Sequence, residues 1–258
     1  MKKRIGDLIV VSNKRLNQDF FILKLSSPEG IPEILPGQFV EVRIDGCPST
    51  FLRRPFSIYN VDYREKTIEL LIKKAGNGSA TLAQAKPNQK LNLIYPLGNS
   101  FTIHERSNVL LVGGGTGVAP LLFLGNYLKE KHTVELQFLL GFRTSELIVE
   151  IDRFKAIGKV YITTEDGSHG HKGLVIHHPV LSGKPLKFDM IYSCGPESMM
   201  KEVAKIAGSN TINCEVSLEN LMGCGFGACL CCVVDTIDRG IINTCTEGPV
   251  FNTKNLKW

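Results

Sequence analysis

Hydrophobic and polar positions change rhythm twice along this chain. Up to about residue 101, β-branched and aromatic residues gather in short runs at 5–11, 20–25, 39–44, 56–61 and 67–73. Turn formers separate them: Ser27-Pro28-Glu29-Gly30, Leu35-Pro36-Gly37 and Asp45-Gly46. Many short strands at this spacing predict a barrel or a sandwich, with one short helix over 79–85. Near His104 the pattern shifts. Apolar runs at 109–112, 134–141, 160–164 and 189–193 alternate with helical stretches at 121–131, 148–156 and 198–207. Strands alternating with helices predict a parallel sheet with helices on both faces. From about Cys214 to Trp258 the chain turns poor in large apolar residues, and five of its 8 cysteines fall between Cys224 and Cys245. Such a segment lacks an independent core, and bound metal would supply the missing stability.

Composition narrows the picture. With 258 residues, 43% of them hydrophobic and 21% charged, the chain has room for two ordinary domains and a small appendage. Ile5 follows Met1-Lys2-Lys3-Arg4 and is followed at once by Gly6-Asp7, which reads against a signal peptide. No apolar stretch is long enough to span a bilayer. A reducing, cytoplasmic location without membrane insertion is therefore expected. The net charge of +5 is scattered, with no recognition helix and no aromatic-basic platform, so no nucleic-acid partner is expected. The six histidines make no metal-ligand pattern, and His169, His171, His177 and His178 are expected to be solvated around a loop. Hydrolytic chemistry finds no nucleophile elbow and no His-Glu-x-x-His.

The candidate chemistry starts with sulfur. Cys224, Cys229, Cys232 and Cys245 form a C-x4-C-x2-C series with a later fourth cysteine, and the first three match the plant-type [2Fe-2S] spacing. Interleaved glycines let the backbone wrap tightly and turn amides inward. Zinc held by four thiolates is the competing reading, though zinc more typically uses two separated C-x2-C pairs. Cys231 adjoins Cys232, so either can be the third ligand, and the spacing favours Cys232. Cys47, Cys194 and Cys214 stand apart, as small hydrophobes usually do.

Nucleotide signals come next. Gly113, Gly114, Gly115, Thr116 and Gly117 follow a strand and precede a helix, where amides can meet a pyrophosphate. A glycine-rich turn without ligand is the alternative. Asp166-Gly167 and Cys194-Gly195-Pro196-Glu197 also lie at strand C-terminal ends, where open sheets collect ligands. Arg53-Arg54-Pro55-Phe56-Ser57 can clamp an anion or form a solvated patch. Gly76, Gly78 and Ser79 can seat a phosphate or make a hairpin turn capped by Ser79. Tyr59 can stack on a flavin ring or fill the barrel.

Taken together, these motifs resemble the electron-transfer subunits of NAD-dependent (class 1B) dihydroorotate dehydrogenases, within the ferredoxin–NADP reductase superfamily. The resemblance covers essentially the whole chain. It implies a multidomain protein: an antiparallel β barrel binding FAD at 1–101, an α/β nucleotide-binding domain with a parallel sheet binding NAD at 102–213, and a small cysteine-rich [2Fe-2S] domain at 214–258. Arg54, Pro55, Phe56 and Ser57 match the R-x-Y/F-S/T flavin motif, which implies that Arg54 holds FAD phosphates and Ser57 lies near the isoalloxazine. Gly76, Gly78 and Ser79 match the second FAD phosphate loop. The run from Gly113 to Gly117, with Pro120, matches the G-G-G-x-G-x-x-P loop for the nicotinamide cofactor, and Cys194, Gly195 and Pro196 match the C-G-P motif near its ring. Cys224, Cys229, Cys232 and Cys245 carry over as cluster ligands. Cys231 departs from the glycine expected before the third ligand, and Trp258 takes no assigned role.

The implied activity is that of an oxidoreductase subunit without a catalytic acid or base of its own. It passes electrons from a partner's FMN through [2Fe-2S] and FAD to NAD+ as diffusible acceptor, in de novo pyrimidine (UMP) biosynthesis. The implied partner is an FMN-containing dihydroorotate dehydrogenase catalytic subunit, in a heterotetramer of two plus two chains. NAD over NADP rests on the resemblance. Small subunits of an NADH-dependent ferredoxin:NADP oxidoreductase or of a sulfhydrogenase share the same modules and form the nearest rival. A nonenzymatic nucleotide sensor bearing zinc or a cluster is a rival of another class.

Overall fold

Two seven-stranded sheets and a two-stranded hairpin organise the residues described, 3–103, 108–183 and 185–258, of this computed structural model. Met1, Lys2 and His104, on which the readings of the chain start and of the change in rhythm fall, lie outside them. The first sheet comprises β1 (Arg4–Arg15), β2 (Phe20–Ser26), β3 (Phe39–Val42), β4 (Arg54–Ser57), β5 (Asn60–Asp62), β6 (Thr67–Lys73) and β7 (Lys90–Leu97), with α1 (Asn77–Leu82) between the last two. Every pairing within it is antiparallel.

The sheet curls but does not close, which corrects the expected barrel. Its order is β4-β3-β7-β1-β2-β6-β5, so β4 and β5 are opposite edges. The chain itself crosses the seam between them. Ile58 donates its amide to the Gln38 carbonyl beside β3 and Tyr59 donates to the Glu69 carbonyl of β6, so the link between the two edge strands is tied to the neighbour of each. The single strand expected over 56–61 is thereby broken in two. The interior strand β7, between β3 and β1, is absent from the sequence reading. Its alternating Leu91, Leu93 and Tyr95 are buried, but flanking polar residues and Pro96 obscure the period.

The second sheet comprises β8 (Asn108–Gly114), β9 (Glu135–Phe142), β10 (Lys159–Thr164), β11 (His171–Lys172), β12 (Met190–Cys194) and β13 (Asn213–Ser217), interspersed with α2 (Val118–Lys131), α3 (Ile151–Lys155), α4 (Pro179–Ser182) and α5 (Glu197–Ser209). Alternation along β8 sorts its side chains, since successive strand residues face opposite sides. Val109 and Leu111 pack toward α2, whereas Leu110 and Val112 pack toward Met200 and Val203 of α5. The α3 helix starts later than the expected 148–156 because Glu150, directly before it, holds φ at +52°, in the left-handed region outside a right-handed helix.

The remaining elements are β14 (Val233–Thr236), β15 (Gly240–Asn243), α6 (Thr244–Glu247) and β16 (Val250–Asn252). Here a second correction arises: the sheet is mixed, not parallel. Returning from the cysteine-rich segment, β16 pairs antiparallel with β13, registering Ser217 with Val250. The hairpin of β14 and β15 stands apart from both large sheets.

The two large modules share a core. On β2, Phe21, Leu23 and Leu25 face the inside of the curled sheet, while Phe20 and Ile22 face outward onto the core that holds α2. That explains why β2 is apolar on both faces. The cysteine-rich segment borrows its floor from the first sheet: Met222, Cys232 and Cys245 pack with Phe39 and Leu97. No helix among the described residues is long and apolar enough to cross a membrane.

Candidate functional site

The strand pairing of β3 with β4 holds Arg54, Pro55, Phe56 and Ser57 opposite Val42, Glu41, Val40 and Phe39. All four motif residues are half-buried. The two adjacent arginines part ways. Arg53 donates to the Asn92 carbonyl at 2.9 Å and to its side-chain oxygen at 2.5 Å, clamping β7. Among the described residues Arg54 takes no such partner. Its Cγ stands 3.6 Å from where a side chain on Gly78 would begin, and Thr50 Cγ2 stands 3.0 Å away. Arg54 and the Gly76–Ser79 loop thus form one cradle. Ser79 turns out to be a third helical residue, not the helix cap; its hydroxyl accepts from the Ala75 and Gly76 amides at 2.9 and 3.2 Å. Tyr59 is fully buried, with the Arg153 guanidinium 4.7 Å above its ring.

A cavity of about 270 Å³ opens beside Pro55, Phe56 and Ser57. A larger cleft of about 950 Å³ runs along the C-terminal ends of the second sheet, past Gly114, Gly115, Thr116, Gly195 and Pro196. Lys73, Thr116, Leu218, Glu219 and Asn220 line both, so the two spaces meet. Ends of parallel strands are where such sheets bind ligands. Gly113 lies under α2, against Val118 and Leu121. Gly117 must lack a side chain, because a Cβ there would run into the carbonyl of Cys194. That close approach locks the first glycine loop against the Cys194-Gly195-Pro196 turn. Burial raises the Cys194 thiol well above its ordinary range, with Glu219 nearby adding to it. Glu219 itself is raised by burial. It escaped the sequence reading because nothing about Leu218-Glu219-Asn220 signals a cavity wall. Asp166 turns inward on its own loop, accepting from the Ser168 amide and hydroxyl, while Glu165 lines the cleft. Among the histidines, His171 and His178 depart from the solvated reading, both half-buried: His178 Nδ1 accepts from the Val180 amide at 3.1 Å, and its ring meets those of His171 and Tyr161.

The cysteines gather in two pairs. Cys224 contacts Cys229, and Cys245 contacts Cys232. Burial opposes ionisation of Cys224, but the amides of Phe226, Cys229 and Ala228 and the Cys229 thiol bring it down to about 6. The Phe226 and Ala228 amides reach its sulfur at 3.5 and 3.3 Å. Burial, then the Cys232 thiol, pushes Cys245 up to about 12. Cys232 Sγ accepts from the Cys245 amide at 3.4 Å. Cys232 and Cys245 are buried, Cys224 is half-buried, and Cys229 and Cys231 are exposed. Among the described residues no three His, Cys, Asp or Glu converge where they could hold a single ion. Two pairs of thiols with amides aimed at sulfur fit a two-iron group, in which thiolates serve two metals and hydrogen bonds temper the charge. The glycine cradles beside Arg54 and in front of α2 fit the phosphates of dinucleotides.

Comparison with known proteins agrees with this geometry. Residues 7–101 match the oxidoreductase FAD-binding domain, 111–205 the oxidoreductase NAD-binding domain, and 219–257 the iron-sulfur cluster binding domain of dihydroorotate dehydrogenase B. Fold and site therefore define an oxidoreductase subunit that joins flavin, nicotinamide and iron–sulfur modules for electron transfer. The dihydroorotate dehydrogenase B (NAD(+)) electron transfer subunit of Caldanaerobacter subterraneus subsp. tengcongensis is 38% identical over 245 residues, 94% of each chain. That of Shouchella clausii is 37% identical over 258 residues, 97% of each. The chain belongs to this family of dihydroorotate dehydrogenase B electron transfer subunits. A solved chain described under flavin-based electron bifurcation by the NADH-dependent reduced ferredoxin-NADP oxidoreductase superposes with a TM-score of 0.87 at 30% identity, covering 97% of this chain and 90% of that one.

Proposed function

We propose that this chain is the electron-transfer subunit of an NAD-dependent dihydroorotate dehydrogenase, carrying electrons from a partner's FMN to NAD+ in de novo pyrimidine biosynthesis. The observation that carries the reading is adjacency: Phe39, on the strand opposite Arg54–Ser57, lines the smaller cavity that opens into the long cleft and also packs against Met222, Cys232 and Cys245 of the cysteine loop. When bound, the flavin supplies the conversion between a hydride pair and single electrons, and the cluster carries single electrons. The chain's residues orient and insulate. In this reading Arg54, with Gly76, Gly78 and Ser79, holds the FAD phosphates, while Pro55, Phe56 and Ser57 line the ring. Gly113, Gly114, Gly115, Thr116 and Gly117 take the nicotinamide cofactor's pyrophosphate, with Cys194, Gly195 and Pro196 beside the nicotinamide. Cys224, Cys229, Cys232 and Cys245 ligate the cluster, and the exposed Cys231 does not. The modules divide at 1–101, 102–213 and 214–258, with β13 shared across the second boundary. A cytoplasmic heterotetramer with two FMN-bearing catalytic chains completes the proposal.

Anaerobic titration with NADH tests it. Bleaching of both flavin and cluster absorbance supports electron entry through FAD and onward transfer. Two intact chromophores that stay coloured with NADH overturn the NADH-linked reading. The likeness to the ferredoxin-NADP oxidoreductase chain favours a second reading, a subunit of that kind of complex or of a sulfhydrogenase. Copurification separates them: an FMN-bearing barrel partner supports the first, and a large iron–sulfur flavoprotein or hydrogenase the second.

A further inference from the structure

Glu41 belongs to none of the motifs, yet it lies where the flavin strand meets the cysteine loop. It is fully buried, and neither carboxyl oxygen has a hydrogen-bond partner among the described residues. Its neighbours across the sheet are Pro55 on β4 and Ile94 on β7. Two residues along β3 from Phe39, it shares the face that packs toward Met222, Cys232 and Cys245. Gly225, which follows Cys224, sits directly on it. A Cβ on Gly225 would stand 2.7 Å from Glu41 Cγ and 3.2 Å from Oε1, and the glycine holds φ at +74°. The charged groups around Glu41 are Arg53 and Arg54 on the flavin side and the Cys224 thiol on the other.

An unpartnered buried carboxyl is costly to keep, and the rest of this wall is apolar. It makes no hydrogen bond that would anchor the loop. Burial, the largest influence, raises this carboxyl to about 7, so in mildly alkaline solution it offers negative charge close to sulfur in a medium that screens little.

Resting on the reading that the four cysteines hold a cluster, we propose that Glu41 sets the cluster's reduction potential through the Cys224–Gly225 loop. The step it acts on is the cluster's gain of one electron from the flavin, with no bond made or broken there; NADH supplies the electron pair by hydride transfer to the flavin. A carboxylate beside the loop opposes the added negative charge and holds the potential down. Glu41 is thus a positioning residue for the electron: it decides how far reducing equivalents favour flavin over cluster.

The experiment uses the full-length chain with flavin and cluster, in mildly alkaline buffer, as wild type and as Glu41→Gln. Flavin and cluster are first counted by absorbance and by the electron paramagnetic resonance of the reduced protein. Wild type without a two-iron signal overturns the reading of the site itself. With both cofactors present, a redox titration followed by resonance gives the cluster potential. Removing the charge while keeping the shape is expected to raise it, favouring the reduced cluster about tenfold, or about 59 mV for one electron. The flavin potential stays in place. An unchanged cluster potential in fully loaded Glu41→Gln overturns the proposal. Should that variant not fold, Glu41→Asp keeps the charge and draws it back from Gly225, with a smaller rise expected. No rise, or a fall, in loaded Glu41→Asp overturns the proposal equally.

Discussion

Gly117 is a single residue on which two loops depend. Its α-carbon faces the Cys194 carbonyl so closely that any side chain must push the loops apart. Gly117→Ala is expected to lower stability by about 1–3 kcal/mol, as overpacking does. It should also raise KM for NADH more than it lowers flavin content; a melting curve and steady-state kinetics check both. Cys229 is the exposed member of its pair. Cys229→Ser should abolish the cluster's resonance signal while leaving stopped-flow reduction of the flavin by NADH nearly unchanged. His178 yields a pH effect. Burial, then His171, lowers it below its ordinary value of 6.5, and only the neutral ring can accept from the Val180 amide. The unfolded chain therefore takes up a proton before the folded chain does. Stability from this group is fully present above the unfolded value and is lost as pH falls from there through the lower folded value. Melting temperature should drop on acidification, and His178→Asn, which keeps a capping acceptor, should flatten that part of the profile.

At the scale of elements, what the chain discloses depends on whether a partner lies near in sequence. Strand β2 is apolar on both faces and reads as a strand at once, although only the structure shows that Phe20 and Ile22 serve another module's core. The glycine loop before α2 and the cysteine spacing are local patterns, and the sequence carries them openly. Strand β7 is hidden by Pro96 and its polar neighbours, and β16 by being three residues long. Glu41 and Glu219 gain meaning only from residues far along the chain. Closure was misjudged for a related reason, since no short-range pattern reveals that the 58–59 step bridges two sheet edges. The floor of Phe39 and Leu97 under Cys232 and Cys245 leads to an expectation. Phe39→Ala should cost about 3–5 kcal/mol, the usual range for a buried aromatic. It should also speed cluster loss to a chelator, measured as decay of visible absorbance.

Across the whole molecule, the two large sheets share a hydrophobic core, whereas the cysteine-rich segment has only a small borrowed floor and the packing of Val234 and Ile242 against the second sheet's core. Stripping the cluster should leave both sheets protected in hydrogen exchange while the amides of 221–248 exchange faster, as expected when metal supplies folding energy. Yet the freed segment cannot wander. The chain leaves the second sheet at Ser217 and re-enters it at Val250, and those two residues are paired neighbours. Everything between them is a lasso tied at its base. A released lasso keeps its thiols at high local concentration over the same floor, because closing the loop is already done. Loss of the cluster is therefore expected to be reversible: iron, sulfide and a thiol reductant should rebuild it in place without the two sheets coming apart.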